Sequence, residues 1–169
     1  RLIGTTLIVA GVGGVIVETE AYDQSEPASH AYRGPSPRAR VLFGPPGHSY
    51  VYLSYGLHWC LNFVCREAGH GAGVLIRALQ PTVGIARMQA RRHRTDLRQL
   101  CAGPGRLCQA LAVTDSLNGK RIDRPPFRIL PAEIAPEIVV GTRIGITKAE
   151  SKAWRYGLKG SLYHSRPFR

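Results

Sequence analysis

An α+β domain with a protruding β-hairpin is the architecture this sequence predicts, on three observations. Residues 49–64, Ser-Tyr-Val-Tyr-Leu-Ser-Tyr-Gly-Leu-His-Trp-Cys-Leu-Asn-Phe-Val, hold two alternating runs that meet at Gly56. Period-two alternation rich in aromatic and β-branched residues reads as strand. Further apolar runs of strand length lie before and after this stretch, and helical patterns are confined to short segments following residue 81. A chain of 169 residues fits one domain, 1–169, and is long enough to bury a core without disulfides or metal.

In the first run of the hairpin Val51, Leu53 and Tyr55 share a face opposite Tyr50, Tyr52 and Ser54. In the second, Leu57, Trp59, Leu61 and Phe63 oppose His58, Cys60 and Asn62. Gly56 suits a tight turn, because glycine tolerates positive φ. Tyr55 then falls at or beside an exposed tip. Such a ring could wedge between base pairs and help push a nucleotide out of a duplex. The plainer alternative is that it packs on a neighbouring loop.

The chain begins with two expected strands, around Leu7-Ile8-Val9 and Val15-Ile16-Val17, joined by a turn at Gly11-Val12-Gly13-Gly14. That glycine cluster lacks the following helix and the spacing of a dinucleotide-binding motif. If the second strand persists, Ile16, Glu18, Glu20 and Tyr22 share one face. A carboxylate beside an aromatic at a strand end could be a general base next to a stacked ring; a solvated acidic strand end is the alternative. Spacing does not choose between Glu18 and Glu20.

Charge is the strongest bulk signal: 23 Lys and Arg face 11 Asp and Glu, a net charge of +12. This excess suits a polyanion, whose counterions are released as phosphates are neutralised. The basic residues are spread along the chain, which favours a folded basic surface over a charged tail. No apolar run approaches a membrane span. Cys60, Cys65, Cys101 and Cys108 contain no Cys-x-x-Cys pair, so free thiols and no structural metal are expected. The chain opens without an initiator Met, so no targeting signal is read from this end.

Residues 23–47 hold five prolines and are expected to be irregular; long loops of this kind are usually functional. They carry His30, Arg33, Arg38 and Arg40. Arg77 interrupts an apolar strand at 74–79, which is costly unless the side chain is paired or belongs to a site. A helix is expected from Thr82, with Pro81 in its first turn. Arg87, Arg91, Arg94 and Arg98 would form a basic stripe on one continuous helix, unless Thr95-Asp96 caps a fresh one. Gly103-Pro104-Gly105 precedes a short helix, 124–136 is proline-rich and extended, and 138–147 reads as a further strand or strand pair.

Several segments line up in order: Val-Glu-Thr-Glu-Ala-Tyr at 17–22, Ala-Ser-His at 28–30, Pro-Arg-Ala-Arg at 37–40 and Gly-Pro-Pro-Gly at 44–47. They continue with Tyr-Val-Tyr-Leu-Ser-Tyr-Gly at 50–56, Leu-Asn at 61–62 and Leu-Ile-Arg-Ala-Leu at 75–79. Gly-Pro-Gly-Arg-Leu-Cys-Gln-Ala-Leu at 103–111 and Arg-Ile-Gly-Ile at 143–146 complete the set. Over nearly its whole length the chain resembles the alkyladenine (3-methylpurine) DNA glycosylase family, in a bacterial form. One departure is the short Glu-Ser-Lys-Ala stretch ahead of Trp154, with Tyr at 156.

The resemblance implies a curved antiparallel sheet with surrounding helices. It also implies an enzyme that hydrolyses the N-glycosidic bond of flipped-out alkylated purines without cutting the strand. Glu20 would activate the water, and Arg77 would hold the target phosphate. Tyr22 would stack on one face of the base, with His30 and Tyr52 on the other. Asn62 would disfavour guanine, and Tyr55 would be the intercalating wedge. No metal or organic cofactor is implied. The partner would be duplex DNA with alkylated or deaminated purines, and the protein a cytoplasmic, nucleoid-associated monomer with no membrane partner. The alternative is a module that recognises damaged DNA without excising the base, which would have no need of Glu20.

Overall fold

The computed structural model describes residues 2–168. Its strands are β1 (Thr6–Val9), β2 (Val12–Asp23), β3 (Ser49–Ser54), β4 (His58–Val64), β5 (Ala72–Val83), β6 (Phe127–Leu130), β7 (Ile138–Gly141) and β8 (Arg155–Leu158). Its helices are α1 (Ile85–Arg92), α2 (Leu97–Leu100) and α3 (Pro104–Leu111). The strands form one curled antiparallel sheet in the order β3-β4-β5-β2-β1-β6, with β8 beside the second half of β2 and β7 beyond it. The α+β expectation holds.

Bulges shape the middle of this sheet. Ile16 faces Leu79 but Glu18 faces Ala78, so Val17 is an extra residue on β2; Thr19 then faces Ile76, so Arg77 is an extra residue on β5. Bulges bend strands and re-aim side chains. Ile16, Ile76 and Leu79 therefore all reach the core cluster, while Glu18, Glu20 and Arg77 meet one another. The expectation that Ile16 shares a face with Glu18 fails at Val17.

The main core lies between the sheet and the three helices. Leu61, Phe63, Ile76 and Leu79 pack against Met88, Leu100, Leu107, Cys108 and Leu111. A smaller cluster of Ala31, Ala39, Leu42, Tyr50 and Val64 pins the 24–48 loop to the sheet. That loop holds a 3-10 turn at Arg40–Phe43 and little other regular structure.

Three local expectations, the first turn, the helix start at Pro81 and the extent of strand in 138–147, are corrected, and for the basic stripe the alternative of a fresh cap at Asp96 holds. The first turn is Ala10-Gly11, both at positive φ, and Gly13 and Gly14 lie inside β2. A Cβ there would come within 1.9 Å of Leu7 O or 2.0 Å of Gln80 O, so glycine answers close backbone approach. β5 runs through Pro81, which pairs opposite Gly14 at the register shift; the helix starts only at Ile85, after Gly84. The basic stripe is split: His93 ends α1, and the Asp96 carboxylate caps α2 by accepting from Arg98 N–H. In the 138–147 stretch only Ile138–Gly141 is strand. Cys60, Cys101 and Cys108 are buried and Cys65 is exposed; all four are free.

Candidate active site

The concave face of the sheet floors a cleft of about 1070 Å³. Cross-strand pairing explains which side chains face it. Tyr50 pairs with Asn62 and Tyr52 with Cys60, while Leu75 pairs with both Asn62 and Glu20 and Gly73 with Tyr22. Tyr22, His30, Tyr52, Asn62 and Arg77 all line this cleft, as does Tyr55 at its rim. Sequence reasoning had singled out each of these six.

Glu20 lies directly behind the lining, fully buried. Tyr22 O–H donates to its Oε2 at 2.8 Å, Ile144 N–H donates to its Oε1 at 2.8 Å, and Arg77 Nη1 sits 3.3 Å from Oε1. All three partners line the cleft. Burial, with the Glu20 charge and hydrogen bond, pushes the Tyr22 hydroxyl far above its ordinary pKa, so it stays a proton donor. A carboxylate held this way can accept a proton from water beside it, and Arg77 adds a fixed positive charge.

The opposite wall is aromatic. Tyr50 and Tyr52 stack with centroids 5.4 Å apart, and the His30 ring stands edge-on to Tyr52 at 4.5 Å. His30 Nδ1 lies 3.0 Å from Tyr50 Oη. Although the ring opens to the cleft, desolvation first and then the Arg38 charge push its pKa down to about 4. The imidazole is neutral at physiological pH. The Arg38 guanidinium lies 5.0 Å from the Tyr52 centroid and donates to Leu53 O at 3.2 Å. Asn62 is buried, its amide donating to Tyr50 O at 3.1 Å.

At the tip of the β3–β4 hairpin Tyr55 has φ 51° and Gly56 φ 69°. A tyrosine in the left-handed region carries strain of roughly 1–3 kcal/mol. Tyr55 is 87% exposed and Leu57 74%, so packing on a neighbouring loop is not what holds this conformation. The N-terminal turn of α3 abuts the hairpin, where a Cβ on Gly105 would come within 2.9 Å of His58.

Glu18 is also fully buried, but apart from Arg77 its partners lie outside the cleft lining. Arg155 Nε donates to Oε1 at 2.6 Å, Ser165 N–H to Oε2 at 2.5 Å and Ser165 Oγ to Oε1 at 2.9 Å.

The family model described as methylpurine-DNA glycosylase (MPG) matches residues 1–162. The chain belongs to the methylpurine-DNA glycosylase family. It is a hydrolase of N-glycosyl bonds, with DNA as its substrate. A protein of Nitrosospira multiformis named "Putative 3-methyladenine DNA glycosylase" is 60% identical over 168 residues, 99% of this chain and 87% of that protein. Proteins of the same name from Nitrobacter winogradskyi and Bradyrhizobium diazoefficiens are 58% and 56% identical, over 99% of this chain and 81% and 84% of theirs.

Sequence reasoning gave no site role to Cys60, Ile144 or Lys148, which also line the cleft. Arg-Ile-Gly-Ile at 143–146 contributed to the family pattern, and that was the available signal. Trp154, in the segment that departs from the pattern, packs under Arg143 and Lys152. Among the described residues no group of three or more His, Cys, Asp or Glu side chains could hold a metal, and no helix is long and apolar enough to cross a membrane.

Proposed function

We propose that this methylpurine-DNA glycosylase excises 3-methyladenine and related alkylated purines after turning the nucleotide out of the duplex. The observation that carries this reading is the buried Glu20 carboxylate, held by three residues that each face an aromatic-walled cleft. Base flipping needs a stacking slot, a wedge and a basic surface. Tyr22 and the His30–Tyr52 pair supply the slot, the strained, exposed Tyr55 the wedge, and the net charge of +12 the attraction to DNA.

In the reaction, water attacks C1′ as the glycosidic bond breaks, and its electron pair leaves with the base. Positive charge builds on the sugar, where a carboxylate stabilises it while taking the water's proton. Glu20 does this work. Admitting water requires the Tyr22–Glu20 hydrogen bond to be shared or released. Arg77 holds the target phosphate, and Asn62 rejects the exocyclic amine of guanine. A cationic base such as 3-methyladenine leaves as a neutral molecule without further protonation.

The test is incubation with duplexes carrying single 3-methyladenine, 7-methylguanine, ethenoadenine or hypoxanthine lesions, beside Glu20→Gln. Free base with an intact backbone from the parent alone is the expected result. Tight binding to an abasic-site analogue with no release from any lesion would mean a recognition module. Lys148 lines the cleft, so backbone integrity is the readout that separates hydrolysis from amine-driven strand cleavage.

A further inference from the structure

Behind Tyr22 lies Arg143, buried and off the cleft surface. Its guanidinium carbon is 4.7 Å from the Tyr22 ring centroid and 5.3 Å from that of Trp154. The group cannot retreat. Nη1 donates to Glu26 Oε1 at 2.7 Å and to Ala21 O at 3.0 Å; Nη2 donates to Glu26 Oε2 at 2.9 Å and to Ala149 O at 3.3 Å. Glu26 is fully buried. Arg143 thus covers the inner face of the ring and leaves the other to the cleft.

An aromatic ring attracts cations through the negative charge of its faces. A fixed cation on one face draws on that charge and weakens the pull of the other face on a second cation. The buried Glu26 neutralises the pair overall, but its positive end lies over the ring. Glu20, on the Tyr22 hydroxyl, and Arg77, beyond it, complete the charges around this side chain.

We infer that the Glu26–Arg143 pair is a specificity-determining element: it backs the Tyr22 stack with positive charge and so lowers the preference for cationic over neutral purine lesions. The inference rests on Tyr22 being one wall of the base slot. Arg143 touches no substrate and acts through the ring.

The experiment measures single-turnover release of 3-methyladenine, a cationic lesion, and of ethenoadenine, a neutral one, from otherwise identical duplexes. It compares the parent with Glu26→Gln, which keeps shape but leaves Arg143 uncompensated, and with Glu26→Gln/Arg143→Met, which removes both charges. The ratio of cationic to neutral release should fall about threefold in the first and rise about threefold to tenfold in the second. Glu26 also accepts from Ala28 N–H in the loop that carries His30, so both variants can lose rate. Structural loosening does not move the ratio in opposite directions. Shifts of the same sign, or equal losses on both lesions, overturn the inference while leaving the glycosylase reading intact. If the double variant does not fold, the sign of the shift in Glu26→Gln decides. A parent that releases neither base removes the slot reading and the inference together.

Discussion

Glu18 and Glu20 stand two residues apart on one strand, both fully buried and both within 3.3 Å of Arg77. What differs is where their other partners come from. Glu18 is closed off by Arg155 on β8 and by Ser165 in the C-terminal segment. Glu20 is held by Tyr22 and by Ile144 from the 142–148 loop, and both of these line the cleft. The same residue type in the same local pattern becomes a tie between sheet and C-terminus in one case and an acid–base candidate in the other. Arg77, extruded by the β5 bulge, couples the two.

The sharpest way to break this contrast is to remove each carboxylate alone. Glu20→Gln keeps one acceptor oxygen, for Ile144 N–H, and turns its NH2 towards the Tyr22 hydroxyl oxygen, which can accept, but it cannot take a proton from water. Single-turnover base release should fall by about 10²–10⁴-fold. A rate within a few-fold of the parent would end the assignment of Glu20 as base. Glu18→Gln should leave the chemistry of the folded enzyme nearly intact and cost about 3 kcal/mol of stability, since Arg155 is left buried and uncompensated. Urea unfolding measures that cost. Loss of catalysis without loss of stability would transfer the role to Glu18.

A smaller effect separates chemistry from flipping. Tyr55→Gly removes the ring and suits the left-handed backbone, so stability should hold or rise slightly. Release from duplex DNA should drop on the order of tenfold, because the cost of unstacking the base is no longer offset. Release from a single-stranded lesion should change little. An equal drop on both substrates would mean that Tyr55 supports the cleft rather than opening the duplex.

Much of this site was legible in the residues because strand periodicity assigns faces. Alternation alone grouped Tyr50 with Tyr52 and Cys60 with Asn62, the hairpin register brings the two pairs to one side, and an arginine in an apolar strand marked Arg77. What alternation could not show was the pair of bulges at Val17 and Arg77, since a strand with one extra residue reads like any other. Pro81 misled for a related reason: proline signals a helix start, but it also fits a strand where the register shifts. The choice between Glu18 and Glu20, and the backing of Tyr22 by Arg143, depend on partners more than 110 residues away in the chain. Local sequence carries no trace of such contacts.

The smallest prediction isolates His30 from both carboxylates. Its pKa in the folded protein is about 4, below the ordinary 6.5. Between these values the unfolded chain binds more protons, so stability rises with pH across the window. Read the other way, this contribution is lost as pH falls from about 6.5 towards about 4. The ring is open on its cleft side, so solvent moderates the effect. Glu18 and Glu20 are unchanged in His30→Gln, so the difference from the parent belongs to the imidazole. The variant should show a flatter dependence of the urea midpoint on pH between 4 and 6.5. At pH 8, where His30 is neutral in both states, the offset between the two proteins should have stopped changing with pH. Parallel profiles throughout would mean that His30 titrates as it does in the unfolded chain, and that the aromatic wall does not exclude its charge.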